Sequence, residues 1–143
     1  MLVTSYNGTL VPLKIVFEKS IELDGSHPNI LNGYDTYGIV SENFCWAGAL
    51  ASVERDGALA RGHILGGGEY GEDWHVGGMV RTKLKTVYDF IACGPYLIDQ
   101  TYVKWKRLAA EGVGAGGITV GRGLTIRPDL LKGMRRKCWT TWR

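Results

Sequence analysis

Residues 112–117 form a glycine-rich stretch that formally fits the G-x-G-x-x-G pattern of dinucleotide-binding sites. In such a site the pattern must follow a strand and open a helix, because the pyrophosphate binds at the helix N-terminus. Here the sequence predicts a helical stretch before the glycines and a strand-like run, residues 118–120, after them. The pattern therefore favours a glycine-rich turn between two elements over a dinucleotide site.

Two histidines and three carboxylates lie close together in the sequence and could in principle hold a metal ion. They are His63, Glu69, Glu72, Asp73 and His75. Their spacing matches neither the H-E-x-x-H pattern nor paired C-x-x-C ligands, which are the patterns that indicate zinc. We therefore expect a polar loop here, with no metal and no cofactor.

Cys45 precedes Trp46 and Ala47, and this tripeptide resembles the start of the nucleophile helix in papain-like cysteine peptidases. A thiolate at a helix N-terminus becomes more acidic, but it also needs a histidine to accept its proton. The two downstream histidines lie only 18 and 30 residues after Cys45. A buried structural cysteine is the favoured interpretation.

The chain has 143 residues, of which 45% are hydrophobic and 22% are charged, and these values are typical of one globular domain. No apolar run reaches the ~18 residues that a membrane-spanning helix needs. There is no secretory leader pattern, and three cysteines do not form a disulfide framework. We expect a cytoplasmic or virion-associated protein without a membrane partner.

Charge is distributed unevenly along the chain. Residues 1–121 carry a net charge of −3, whereas residues 122–143 hold 7 Lys and Arg against one acidic residue and carry +6. Such a basic end can contact a polyanion. No nucleic-acid-binding motif accompanies it, so we interpret it as a solvated helix face and do not expect a nucleic-acid partner.

The pattern of apolar runs and turn residues predicts an α+β domain. Strands are predicted at residues 10–17, 59–65, 74–80 and 87–93, the last one ending at Gly94-Pro95. The run 44–53 fits a buried strand or a helix, and the hairpin-type turn at residues 55–57 favours a strand. A helix is predicted near 126–138, with Pro128 in its first turn. We therefore expect a mixed or antiparallel sheet of many short strands with glycine-rich loops and this C-terminal helix. The predicted domain covers 1–138, and 139–143 form a basic, aromatic tail.

Four segments, taken in order, resemble the phosphodiester glycosidase family, which includes the lysosomal "uncovering enzyme" and bacterial and phage relatives. The segments are Asn43-Phe44-Cys45-Trp46 with the Arg55-Asp56-Gly57 turn, the apolar run 88–98 with its Gly94-Pro95, Arg107 to Gly112, and Gly121-Arg122-Gly123-Leu124-Thr125 continuing to Cys138. Together they cover roughly residues 40–138. The family's Asp-Gly-Gly motif is absent after Cys138, where the chain reads Trp-Thr-Thr-Trp-Arg.

The resemblance implies hydrolysis of a glycosyl phosphodiester, with a phosphosugar or nucleotide-like molecule as ligand. Such a reaction needs carboxylate chemistry, and arginine can stabilise a departing phosphate. The residues predicted for catalysis are Arg107, Asn43 and Asp73. The residues predicted for substrate binding are Gly94, Pro95, Arg122 and His75.

Two alternatives stay open at this point. One is a catalytically inactive module that binds and sequesters a phosphosugar or nucleotide. The other is a phage-type structural or accessory protein, in which the five tryptophans and seven tyrosines serve packing and self-association as a homo-oligomer.

Overall fold

The computed structural model describes residues 1–34, 36–41 and 47–137. The strands are β1 (Leu2–Thr4), β2 (Leu10–Val16), β3 (Asn29–Asn32), β4 (Ala58–Gly62), β5 (Leu108–Val113) and β6 (Gly133–Lys137). The helices are α1 (Ala47–Val53), α2 (Glu72–Gly77), α3 (Lys83–Asp99) and α4 (Gly116–Ile126). Short 3-10 turns at Val80–Thr82 and Trp105–Arg107 precede α3 and β5.

The six strands form one mixed sheet in the order β1-β2-β4-β3-β5-β6. β1 and β2 pair antiparallel, as do β2 and β4, whereas β4, β3, β5 and β6 run parallel to one another. Parallel neighbours need crossover connections, and here helices provide them. The expected α+β composition with a mixed sheet is therefore confirmed.

Helices cover both faces of the sheet. Leu31 of β3 and Ala60 of β4 point into the main core with Phe90 of α3 and Val120 of α4. Their sequence neighbours alternate to the opposite face, because side chains in a strand have a period of two. There Ile30 and Leu59 pack against Val53 of α1. The chain thus builds a three-layered arrangement with α3 and α4 on one side and α1 on the other.

The segment 87–93 is the centre of the longest helix, α3, so the predicted strand there is wrong. Val87, Phe90, Cys93, Gly94 and Leu97 are all buried and recur at intervals of three and four residues. That spacing places them on one face of a helix, and burial of this face outweighs the presence of Pro95 inside α3. Gly94 lies against the side chain of Leu130, so the predicted strand end is instead a close packing point.

The C-terminal helix predicted near 126–138 is also wrong. The helix there is α4, which ends at Ile126, and residues 133–137 form strand β6 beside β5. Leu130 and Leu131 are buried because they cover the core between these two elements, and they do not form a helix face.

Two further predicted strands are helical. The segment 44–53 contains α1, and the segment 74–80 contains most of α2 and the start of a 3-10 turn. The predicted strands at 10–17 and 59–65 correspond to β2 and β4. The division into a domain at 1–138 and a tail at 139–143 stays a prediction, since residues 138–143 lie outside the described part of the chain. No helix within the described ranges is both long enough and apolar enough to cross a bilayer.

Candidate functional site: the turn between β5 and α4

The loops that follow β3, β4 and β5 meet at one edge of the sheet, because parallel strands end on the same side. After β3 the chain continues to α1 on one face, whereas after β5 it continues to α4 on the other face. Such a reversal between neighbouring strands opens a crevice outside their carboxyl ends, where open α/β sheets bind ligands.

A sharp turn at Gly114 connects β5 directly to α4. Gly114 has a φ of 54°, the left-handed conformation that glycine adopts without strain. The turn is tight on either side of this residue. A Cβ at Gly112 would lie 2.5 Å from the carbonyl oxygen of Gly116, and a Cβ at Gly116 would lie 2.5 Å from that of Gly33. Glycine at 112 and 116 is therefore what allows the strand, the turn and the loop after β3 to approach so closely.

The order of elements around the G-x-G-x-x-G pattern is the opposite of the predicted order. Strand β5 precedes the glycines and helix α4 follows them, as a dinucleotide-binding pattern requires. Residues 118–120, predicted as strand-like, belong to α4. A dinucleotide site also needs an acidic residue about 20 positions further on, at the ribose. Residues 130–137 contain no Asp or Glu, so the pattern still does not indicate a dinucleotide site.

The loops after β3 and β4 are bound to each other by hydrogen bonds. The carbonyl oxygen of Gly66 accepts a hydrogen bond from the Gly38 N–H at 3.1 Å and another from Nδ1 of His75 at 2.9 Å. Because a carbonyl can only accept, Nδ1 of His75 carries a proton, and Nε2 is the ring nitrogen left for a ligand.

A second connection holds the same loops a few residues further on. The carboxylate of Glu69 accepts hydrogen bonds from Nδ1 of His63 at 3.0 Å and from the Ser41 N–H at 3.1 Å. Burial alone would raise the pKa of Glu69, but these hydrogen bonds outweigh burial and lower the pKa below its ordinary value. Glu69 therefore stays ionised and holds the two loops together.

A pocket of about 320 Å³ lies beside the turn, in the crevice that the topology predicts. Its walls are mostly apolar and come from all three loops and from α4. The lining residues used below are Tyr37, His75, Met79, Val80, Ala115 and Ile118. Tyr37 and Val80 have positive φ values of 60° and 36°, which are uncommon for residues with a side chain. Backbone strain of this kind concentrates at functional sites, so the pocket is the best candidate site in the described chain.

Among the predicted site residues that the structure describes, only His75 lines this pocket. Asp73 lies in the first turn of α2 and is exposed, and Arg122 is exposed on α4. Arg107 is exposed at the opposite end of β5 from Gly114, which places about 20 Å of strand between them.

Gly94 and Pro95 lie inside α3, where Pro95 borders a different depression beside Leu130. Asn43 and Cys45 lie outside the described residues. The structure therefore does not bring the predicted residues together. The described residues also hold no cluster of three or more metal-ligating side chains around His63, Glu69 and His75.

Sequence reasoning missed the role of the turn itself. A tight strand–turn–helix with the pattern G-x-S-x-G is the nucleophile elbow of α/β-hydrolases, whose central serine is exposed at the top of the sheet. Gly112, Gly114 and Gly116 occupy the first, central and last positions of that pattern. The spacing of Gly112 and Gly116 was the available signal, and the missing serine concealed it.

Comparison with known proteins supports this interpretation. Residues 43–137 match the model of the prolyl oligopeptidase family. The chain is 38% identical over 130 residues to a prolyl endopeptidase of Elizabethkingia meningoseptica, an alignment that covers 90% of this chain and 18% of the relative.

Among solved structures, the chain superimposes with a TM-score of 0.90 on oligopeptidase B from Trypanosoma brucei with covalently bound antipain, at 40% identity. It superimposes with the same TM-score on oligopeptidase B from Leishmania major, at 33% identity. Each of these matches covers 95% of this chain and 19% of the solved chain. This chain thus spans about one fifth of the length of the relatives it matches.

These findings overturn the resemblance to phosphodiester glycosidases. That resemblance depended on short motifs around residues 94 and 121–125. They lie within helices α3 and α4 of a fold that this chain shares with prolyl endopeptidases. Hydrolysis of a glycosyl phosphodiester, binding of a phosphosugar and a phage-type structural role are therefore not supported. The match over 43–137 and the shared fold show that the chain belongs to the prolyl oligopeptidase family.

Proposed function

We propose that this chain carries the elbow of a peptidase-type site, which binds a proline-containing peptide and positions its carbonyl. The observation that carries the proposal is the tight turn from β5 through Gly114 to α4, located in the crevice at the carboxyl edge of the sheet. Proline enters the proposal from the names of the relatives, which are prolyl endopeptidases.

The start of α4 supplies groups that suit a peptide carbonyl. The first N–H groups of a helix have no partner within the helix, and the helix dipole gives this end a partial positive charge. In α/β-hydrolases the N–H of the residue after the elbow's central position, here Ala115, polarises the carbonyl together with an N–H from the loop after β3. Gly33 and Tyr34 of that loop lie directly against Gly116.

The neighbouring pocket supplies a place for an apolar side chain of the peptide. Tyr37, Met79, Val80 and Ile118 form its walls, and all four side chains are exposed in this chain. Burying such side chains against a ligand is favourable by about 25 cal/mol per Å² of apolar surface removed from water. The pocket would therefore orient a bound peptide with its carbonyl towards the elbow.

Hydrolysis by an α/β-hydrolase needs a catalytic triad as well as the elbow. In α/β-hydrolases the acid and the histidine of the catalytic triad follow the nucleophile in the sequence. All three histidines of this chain, His27, His63 and His75, precede Gly114. The cytoplasmic or virion-associated setting and the homo-oligomer expected from the sequence stay predictions.

A titration of the ¹⁵N-labelled full chain with a blocked, proline-containing tetrapeptide tests the binding site. We expect chemical-shift changes at Ala115, Gly116 and Ile118, and none at the distant depression beside Pro95. The variant Ile118→Glu should weaken binding at least tenfold, because it places a charge in the apolar wall. The matched control is Val76→Glu, since Val76 is also exposed but does not line the pocket.

Two results would contradict the proposal. One is the absence of any shift change around Ala115 at saturating peptide. The other is an equal loss of affinity in both variants, which would show that the added charge acts without regard to the pocket.

A further inference from the structure

The central position of the elbow is open to solvent, unlike the positions on either side of it. A Cβ built on Gly114 meets no atom within 4 Å, whereas Cβ atoms on Gly112 and Gly116 would collide with backbone. The elbow therefore requires glycine at 112 and 116 for reasons of space, but at 114 it leaves room for a side chain. This open position is where an α/β-hydrolase presents its nucleophile.

We propose that the elbow in this chain binds a peptide carbonyl without forming an acyl-enzyme, so that the bound peptide is released intact. This inference rests on the proposed function. In acyl transfer the oxygen of a serine bonds to the carbonyl carbon, the C–N bond breaks, and a proton passes to the leaving amine. Gly114 has no side-chain atom that could form the first of these bonds.

The elbow itself holds no substitute, because residues 112–116 read Gly-Val-Gly-Ala-Gly and carry no hydroxyl, thiol or amine side chain. The hydroxyl of Thr36 donates a hydrogen bond to the carbonyl oxygen of Tyr34 at 2.9 Å, which holds it against its own loop. Nδ1 of His75 is engaged with Gly66. Cys93 is fully buried in the core, away from the pocket lining. The elbow therefore keeps its backbone N–H groups but lacks the acyl-forming side chain.

The geometry also implies that a nucleophile introduced at residue 114 would be used. A cysteine there would lie two residues before α4, and a thiol close to a helix N-terminus has a lowered pKa. With a blocked peptidyl-proline p-nitrophenyl ester, the thiolate sulfur would bond to the carbonyl carbon. The C–O bond to the aryl group would then break, and p-nitrophenolate would leave with the bonding electron pair. The thiol proton goes to solvent, so the step needs no further reactant.

The experiment compares the full chain with its variants Gly114→Cys and Gly121→Cys, each incubated with this ester and analysed by intact mass and peptide mapping. Gly121 is a matched control because it lies on α4 and its Cβ would also meet no atom within 4 Å. The native cysteines are present in all three proteins, and mapping separates their background from residue 114. We expect acylation of residue 114 at least tenfold faster than of residue 121, and no acylation of the unmodified chain at residues 112–118.

The outcomes separate this inference from the proposed function. An acyl adduct within the elbow or pocket of the unmodified chain, or cleavage of a bound tetrapeptide by it, would overturn the inference while leaving peptide binding in place. Equal acylation at residues 114 and 121 would also overturn it, since the elbow would then not position the ester. If the tetrapeptide causes no shift changes in the unmodified chain, the proposed function fails and the inference fails with it. The arm with the unmodified chain does not depend on whether the variants fold.

Discussion

Alanine at three glycines of one turn and helix should have three different effects on stability, and the structure orders them. At Gly116 a Cβ would lie 2.5 Å from the Gly33 carbonyl oxygen and 2.8 Å from the Tyr34 Cα. Both are backbone atoms, so neither can rotate away. Overpacking of this kind costs about 1–3 kcal/mol, and the rigid neighbours place Gly116→Ala at the upper end.

The higher helix propensity of alanine offsets about 1 kcal/mol of this cost at Gly116. Gly116→Ala should therefore lower the free energy of unfolding by about 2 kcal/mol. At Gly114 the Cβ has space, but a φ of 54° costs a residue with a side chain roughly 1–2 kcal/mol. At Gly121, inside α4 with open space around it, alanine should stabilise the chain by about 0.5–1 kcal/mol. The expected order of stability is therefore Gly121→Ala, the unmodified chain, Gly114→Ala and Gly116→Ala.

Urea denaturation of the four proteins, followed by circular dichroism, measures this order. Similar slopes of free energy against urea would show that the differences arise in the folded state. If Gly116→Ala unfolds at the same urea concentration as Gly121→Ala, then the loop after β3 does not press against α4. The description of the elbow as a tight turn would then be incorrect.

Two further predictions concern α3. Phe90→Ala should destabilise the chain by about 3–5 kcal/mol in the same assay, because Phe90 is fully buried against Gly33 and Gly123. Leu84 lies on the exposed face of α3, so Leu84→Ala should change stability by less than about 0.5 kcal/mol. Equal losses of stability in the Phe90 and Leu84 variants would show that Phe90 does not lie on the buried face of α3. Burial raises the pKa of Asp89, although the Leu65 N–H donates a hydrogen bond to its carboxylate at 3.3 Å. Just above pH 3.8 the folded state therefore binds more protons than the unfolded state. Relative to Asp89→Asn, the unmodified chain should therefore lose stability as pH rises from that value. Parallel pH profiles for the two proteins would refute this assignment.

Local patterns in the sequence identified the elements whose neighbours in the chain decide their structure. The apolar runs at residues 10–17 and 59–65 are strands β2 and β4. The Arg55-Asp56-Gly57 segment is a turn, in which Asp56 takes a φ of 59°. It leads from a helix into a strand, however, and does not join two strands. Composition also indicated a single mixed α+β structure, because burial of apolar surface and the frequency of turn residues are properties of the whole chain.

Packing between distant segments decided the rest. The run around residue 90 has the β-forming composition of a strand, yet its apolar residues repeat at helical intervals and are buried on one face of α3. Gly112 and Gly116 are ordinary glycines in the sequence. Their function becomes visible only in the folded chain, where Gly112 lies against Gly116 and Gly116 lies against Gly33. The pocket depends on three loops that are far apart in the chain and meet only because their strands run parallel. Short motifs cannot specify such a meeting, and for this reason the sequence placed the site at Arg107 and Gly94, whereas the tertiary structure places it at Gly114.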